Sequence, residues 1–202
     1  MIVYLLQGLT LGLSAAVSPG PFLAFLLSQT LANGWRRALP ITLAPLVSDG
    51  PIIALVLLVL TQTPDWFLRA LQVIGGLLLI YLAKGAFDVF RKATEVKAES
   101  ASGEGGFFKG VAMNGLNPNP YIFWSTVGGP TLINGWEISP LADVSFLIGM
   151  YVALIGGFAL YIGLFAAASR VDPRLTRALN LLSAIALCLF GLYRLWQGAL
   201  GT

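Results

Sequence analysis

The sequence predicts an all-α integral membrane protein with six transmembrane helices. Three observations support this prediction: 57% of the 202 residues are hydrophobic, only 10% are charged, and the apolar residues form six long runs. A soluble domain of this length needs many more charged side chains to cover its surface. Each run is long enough to cross the hydrocarbon core of a bilayer, which takes about 20 helical residues.

The six spans are predicted in order along one transmembrane domain, residues 1–202. The first run is predicted to be retained, because no basic residue precedes it and it is about twice as long as the core of a signal peptide. The predicted spans are 2–31, 38–61, 66–90, 107–133, 141–169 and 175–199.

The basic residues predict how the spans are oriented, since cytoplasmic loops retain lysine and arginine. They are concentrated after the first, third and fifth spans. These loops are therefore predicted to face the cytoplasm, which places both chain termini outside. Anionic lipid beside these loops accounts for the net charge of +3, so no nucleic-acid partner is predicted.

The two halves of the chain carry similar short motifs on either side of a polar linker at about 91–106. An internal duplication explains this pattern, with repeat 1 at about 1–90 and repeat 2 at about 107–202, and chance similarity between apolar sequences is the alternative. Three spans per repeat would invert the second copy, as in secondary transporters. The matching motifs are SPGP (18–21) with NPNP (117–120), NGW (33–35) with NGW (134–136), and FLRAL (67–71) with LTRAL (175–179).

Two pairs of prolines interrupt the first and fourth spans. Proline removes a backbone N–H and disfavours helical geometry at the residue before it. It is nevertheless well suited to the first position of a new helix, which glycine or asparagine can cap. New half-helices are therefore predicted to begin at Pro21, capped by Gly20, and at Pro120, capped by Asn119.

The two breaks are predicted to form one polar pocket, because irregular backbone at this depth must be buried in protein or line a wet cavity. Half-helix N-termini suit a carboxylate or another anion, whereas freed carbonyls suit an ammonium group or a cation. Simple packing kinks are the alternative, but equivalent motifs in two repeats favour a site. The predicted substrate-binding residues are Ser18, Pro19, Gly20, Pro21, Asn114, Asn117, Pro118, Asn119, Pro120 and Tyr121.

Asp49 is the acid predicted at mid-depth in the second span. A charge there costs about 3 kcal/mol, so the side chain should face the protein interior or water. A buried carboxyl group can also remain protonated, because desolvation disfavours its charged form. Asp49 is therefore a candidate proton carrier, and a structural hydrogen bond to a neighbouring helix is the alternative.

The side-chain inventory argues against several other classes of membrane protein. The sequence has no histidine and one cysteine, whereas a hydrolase needs a nucleophile with a base or a second acid, and a redox carrier needs two cysteines. No enzymatic activity, cofactor or metal site is predicted. A divalent-cation exporter, which needs several carboxylate, His or Cys ligands, remains the alternative to a solute exporter.

Several of these motifs resemble the lysine exporter (LysE/RhtB) family: SPGP in span 1, Asp49 in span 2, GGLLLIYLAKGAF at 75–87 and FFKGVAMNGLNPNPYIFW at 107–124. The resemblance implies a six-span protein of the cytoplasmic (inner) membrane that exports amino acids or related small solutes. It further implies antiport with protons, a coupling role for Asp49 and a homodimer. The family usually has Asn-Pro-Lys at the second break, whereas Asn119 follows Pro118 here, so no cation stands at this position and the solute is left open.

Overall fold

The described part of the chain is almost entirely helical and contains no strand. In this computed structural model it comprises residues 1–18, 20–58, 65–92, 103–171 and 173–200. The predicted all-α class is therefore confirmed. The elements are α1 (Ile2–Val17), α2 (Pro21–Asn33), α3 (Trp35–Ala38), a 3-10 turn (Leu39–Leu43), α4 (Ala44–Leu58), α5 (Asp65–Lys92), α6 (Gly103–Gly115), α7 (Pro118–Phe123), a π-helical turn (Trp124–Gly128), α8 (Gly129–Ile138), α9 (Pro140–Val171) and α10 (Pro173–Leu200).

Length and composition identify the membrane-crossing segments among the described residues. Four segments qualify alone, and α1 with α2, bent by 66°, forms either one broken span or a re-entrant loop. The span predicted at 107–133 is divided between α6 and α7, and α6 with its 13 residues is too short to cross a ~30 Å hydrocarbon core. The prediction of six complete spans therefore stays a prediction. The four segments are Trp35–Leu58, Arg69–Asp88, Pro140–Ala167 and Leu181–Leu200.

The surface of the helices agrees with a lipid environment. Large apolar side chains are exposed along α9, among them Ile148 and Leu160. Trp66 and Trp136 are also mostly exposed and lie near the ends of predicted spans, where indole rings favour the headgroup level. Trp124 differs from them, because it is only 1% exposed.

The break in the first span follows the predicted geometry. Gly20 is extended, with φ −165° and ψ 176°, and is the N-cap of α2, which begins at Pro21. A proline at the first helical position loses no hydrogen bond, because that N–H has no partner within the helix. The predicted start and cap of α2 are therefore confirmed. Pro19, a predicted substrate-binding residue, lies outside the described residues.

The break in the fourth span was predicted two residues too late. α7 begins at Pro118 rather than Pro120, and its N-cap is Asn117 in an extended conformation of φ −83° and ψ 127°. The Asn117 Oδ1 accepts a hydrogen bond from the Asn119 N–H at 3.1 Å. Both prolines then fall in the first turn of the helix, where their missing N–H groups have no partner to lose. The carbonyl of Asn114, which Pro118 cannot bond, accepts from the Asn117 N–H at 3.1 Å.

A π-helical turn follows α7 directly. It covers Trp124–Gly128, and Gly129 continues as α8. Such wider turns contain one residue more than an α-helical turn and are frequent at functional sites. The turn places the Trp124 ring against the backbone of Gly128, facing the centre of the protein.

Glycines allow the long helices to approach closely. α1 packs along α9, and α5 packs along α10. A Cβ atom added at Gly12 would overlap the backbone of Met150, and one added at Gly76 would lie 2.9 Å from the Gly191 carbonyl oxygen. Small residues at helix crossings let backbones meet, and this close contact is the main source of helix association in lipid. These two crossings frame the region in which the broken helices meet.

Candidate functional site

A cavity of about 280 Å³ lies between the two helix breaks. Part of its wall is apolar and comes from Phe22, Leu154 and Phe158. Its volume lies close to the lower end of the ~300–1,000 Å³ range of small-molecule pockets, which suits a small solute. Seven of the predicted substrate-binding residues line it: Ser18, Gly20, Pro21, Asn114, Asn117, Asn119 and Pro120.

Asp49 also lines this cavity and is held by two other helices. Its side chain is 4% exposed. The Asn114 Nδ2 of α6 donates to Oδ1 at 2.8 Å, and the Tyr151 hydroxyl of α9 donates to Oδ2 at 3.0 Å. The Asn114 Nδ2 also donates to the Ser48 Oγ at 2.7 Å. A carboxylate has about four lone-pair sites, so Asp49 can still accept a proton or an ammonium N–H.

These contacts follow from where the helices stop. Asn114 stands one residue before the end of α6, so the position of the break brings its amide opposite Asp49 on α4. The hydrogen bond across helices that was the alternative role for Asp49 is present, and its partners are Asn114 and Tyr151. These bonds leave some of the lone pairs of the Asp49 carboxylate unused.

The indole N–H of Trp124 is a second polar group at this cavity. It is buried, and among the described residues it has no hydrogen-bond partner. It lies near Asp49 without reaching hydrogen-bond geometry. An indole N–H can only donate, and a buried donor without an acceptor is costly. The cavity therefore presents an unused donor beside an acceptor.

A guanidinium group lies on the other side of the second break. The Arg194 Nη2 of α10 donates to the Asn119 Oδ1 at 2.9 Å, and its Nη1 donates to the Gln197 Oε1 at 3.0 Å. The sequence has no cation next to Pro118 along the chain. The fold supplies one across space, because α10 brings Arg194 to Asn119.

The family model of the LysE type translocators matches residues 13–198 of the chain. The chain belongs to this family. The match covers both breaks, Asp49 and Arg194, and it confirms the resemblance found in the sequence. Comparisons with curated proteins and with solved structures gave no match.

Membership of the LysE type translocators establishes the general activity of the chain. It is a multi-pass membrane protein of a transporter family, not of an enzyme family, and the family implies export of amino acids or small solutes. Its partners are therefore a small-molecule substrate and the lipid bilayer. Within the described ranges, no three His, Cys, Asp or Glu side chains come together in a way that could hold a metal ion.

Two of the residues predicted to bind substrate in this translocator are not in the lining of the cavity. Pro118 is buried and lines a separate cavity of about 10 Å³. The hydroxyl of Tyr121 donates to the Gly115 carbonyl oxygen at 2.9 Å, and its ring packs edge-on against Phe67 with centroids 5.2 Å apart. Because α7 begins at Pro118, position 121 faces α5 rather than the cavity. Tyr121 is therefore absent from the lining of this cavity, and its role in solute binding stays a prediction.

Sequence reasoning missed three residues of the translocator: Trp124 lines the cavity, whereas Tyr151 and Arg194 hydrogen-bond to residues that line it. Tyr151 is a polar side chain within an apolar span, and Trp124 is a tryptophan far from either predicted span end. Arg194 is a basic residue within the last predicted span, 175–199. A charge within the last apolar run was a sufficient signal, since ionisable residues in membrane spans are costly and usually functional.

Proposed function

We propose that the chain is a proton-coupled exporter of a small zwitterionic or anionic solute, and that the cavity between the two breaks is its solute site. One observation carries the proposal: residues from both broken helices and Asp49 line the same cavity. In secondary transporters, discontinuous helices surround the substrate near the bilayer midplane. We place the protein in the cytoplasmic membrane with both termini outside, on the distribution of its basic residues.

Helix packing supports an arrangement of two inverted repeats. α1 is the first half of the broken span 1 and packs on α9, whereas α6 is the first half of the broken span 4 and packs on α4. α5 and α10 pack on each other. A two-fold axis that exchanges residues 1–90 with 107–202 would map the contact of α1 with α9 onto the contact of α6 with α4. The same axis would map the contact of α5 with α10 onto itself. Rocking of the repeats about this axis would open the cavity to either side in turn.

Asp49 is suited to couple protons to that motion because its hydrogen bonds join the repeats. Asp49 belongs to repeat 1, whereas its donors Asn114 and Tyr151 belong to repeat 2. Hydrogen bonds to an ionised carboxylate are roughly twice as strong as neutral ones. Protonation would weaken both bonds and turn one oxygen into a donor, so the link between the repeats would loosen.

An ammonium group on the solute would compete with the proton for the same carboxylate. Asp49 cannot hold a proton and pair with a cation at full strength at the same time. Solute binding would therefore favour release of the proton, and protonation would favour release of the solute. Such competition produces exchange of solute for protons.

The test compares Asp49→Asn with Ser48→Ala in liposomes. Ser48→Ala is the matched control, because it changes the adjacent buried residue of the same network and keeps the carboxylate. A thermal-shift screen of the purified wild-type protein against amino acids, organic acids and divalent metals first selects the radiolabelled solute.

We expect Asp49→Asn to lose acceleration of solute flux by a pH gradient while it retains solute-for-solute exchange. Ser48→Ala should keep both activities. Proton-driven flux that is unchanged in Asp49→Asn would refute the coupling role. Stabilisation by divalent metals alone would refute the choice of solute class and favour a cation exporter.

A further inference from the structure

Arg194 is an unusual residue for its position in the protein. It lies in the apolar segment Leu181–Leu200, which is long enough to cross the membrane. Arginines in such segments often extend toward the headgroups. The Arg194 guanidinium instead donates to Asn119 on α7 and to Gln197 on its own helix. The sequence thus places a full positive charge beside the helix break.

The partners of this guanidinium are both neutral. The Asn119 and Gln197 side chains offer amide oxygens, and the described residues show no ion pair with Arg194. Guanidinium carries five N–H donors in a planar fork that matches a carboxylate, and the two amides use only part of this capacity. An ionised group in a membrane span is retained at a cost and normally has an opposite charge nearby. For Arg194 the chain itself does not provide that charge within the described residues.

The surroundings of Arg194 connect it to the solute cavity. Arg194 lines the small cavity of about 10 Å³ together with Pro21 and Pro118, the first residues of the two restarted helices. Pro21 and Asn117 line both cavities, and Asn119 lines the larger one. Asn119 therefore both accepts from the guanidinium and borders the larger cavity. Asn119 thus links the charge of Arg194 to the wall of the solute cavity.

The larger cavity also contains a buried donor. Trp124 lines the cavity and is only 1% exposed. Its buried indole N–H has no hydrogen-bond partner among the described residues. Trp124 comes immediately after α7, the helix that contains Asn119. An oxygen atom of a solute near α7 would satisfy this donor. The cavity thus has one donor, at Trp124, that an oxygen atom of a solute can use.

We infer that Arg194 is a specificity-determining residue that recognises a carboxylate of the transported solute, and that Asn119 holds its guanidinium in position. This inference rests on the proposed solute cavity and deepens it. Arg194 donates hydrogen bonds to the anionic end of the solute, and Asp49 lies where an ammonium end can bind. The apolar wall contacts the rest of the solute. The chain thereby selects solutes that carry a free carboxylate over the corresponding amides, in which an uncharged carboxamide replaces the carboxylate.

The experiment measures binding rather than transport, so that it does not depend on proton coupling. Alanine, leucine and phenylalanine are titrated calorimetrically into the full-length protein in detergent, each beside its amide, which lacks the carboxylate charge. The variants are Arg194→Gln, Arg194→Gln with Asn119→Lys, and Arg69→Gln. Arg69 is an exposed arginine of α5 that lines neither cavity and controls for loss of one positive charge.

We expect the wild-type protein to bind at least one of the acids better than its amide. Arg194→Gln should weaken binding of that acid by about 10- to 100-fold, the value of a hydrogen bond to a charged group, and leave the amide nearly unchanged. Arg69→Gln should behave as wild type. Adding Asn119→Lys to Arg194→Gln should restore the preference, because it returns a cation to the same place.

Two results would overturn the inference. One is an acid preference that survives in a folded Arg194→Gln protein, and the other is a wild-type protein that binds none of the acids better than its amide. Either result leaves the proton test on Asp49 unaffected. Conversely, failure of that test removes the coupling proposal but not a carboxylate preference that depends on Arg194.

Discussion

Gly75 provides a direct test of the idea that the second break must keep its position. It lies in α5, opposite the break, and a Cβ atom added there would lie 2.5 Å from the Leu116 carbonyl oxygen. Carbon–oxygen contacts of this kind are normally about 3.3–3.6 Å, so in Gly75→Ala the Leu116 carbonyl must move by about 1 Å. Leu116 lies two residues after Asn114, whose amide holds Asp49 at 2.8 Å.

The expected magnitude follows from comparison with Gly85→Ala on the same helix. A Cβ at Gly85 meets nothing within 4 Å, so this variant should show only the gain in helix propensity, about 0.5–1 kcal/mol. Gly75→Ala has the same gain but also the cost of overpacking, about 1–3 kcal/mol. The two variants should therefore differ by about 1–3 kcal/mol. For a chain of this size that is a gap of about 2–12 °C in Tm.

The assay combines thermal unfolding in detergent with flux in liposomes. Gly75→Ala should unfold below Gly85→Ala and should show reduced solute flux, because movement of Leu116 disturbs the bond from Asn114 to Asp49. Gly85→Ala should transport as well as the wild type. Equal Tm values and equal flux for the two variants would contradict the reasoning, since they would show that the break tolerates displacement.

Three further substitutions test separate parts of the site. Asn114→Leu removes a donor to Asp49 and should lower the free energy of unfolding by about 1.5–3 kcal/mol. The loss should be smaller in the Asp49→Asn background, because the bond to an ionised Asp49 is stronger than a bond to a neutral amide. Denaturant titrations of the double-mutant cycle measure the difference, and equal losses in both backgrounds would contradict it. Tyr121→Phe should cost about 0.5–1.5 kcal/mol in stability by losing the bond to Gly115, yet leave solute affinity unchanged in calorimetry. Phe158→Ala removes apolar wall and should weaken binding of small apolar solutes relative to larger ones, a shift that competition binding detects.

The sequence predicted most of the fold because local rules decide it. The start of α2 is an example, because glycine is accepted at the N-cap and proline is favoured at the first helical position. Gly20 and Pro21 occupy these two positions. The start of α7 was harder, because two Asn-Pro pairs in succession offer equally good starts. The first pair prevails because the Asn117 side chain satisfies the Asn119 N–H, and Pro120 then falls in the first turn at no cost.

The partners of the site residues depend on contacts that local rules do not reach. Tyr151 meets Asp49 across more than half of the chain, and Arg194 on α10 meets Asn119 on α7 across 75 residues. Sequence patterns identified Asp49 and Asn117 as unusual, since acids and Asn-Pro pairs are rare in membrane spans. They did not identify which helix faces which, and the donors to Asp49 depend on that packing.

The π-helical turn at Trp124–Gly128 has a consequence for the relation between the two halves of the chain. One extra residue in a turn advances every later residue by about 100° around the helix axis, compared with an uninterrupted α-helix. The side of α8 that meets α9, where Gly135 lies against Asp143, therefore depends on a single inserted position. In the proposed repeats the counterpart of α7 and α8 is α2, which is a continuous α-helix. An alignment of the halves consequently needs a gap within the turn, and deletion of one residue there would rotate α8 rather than merely shorten it.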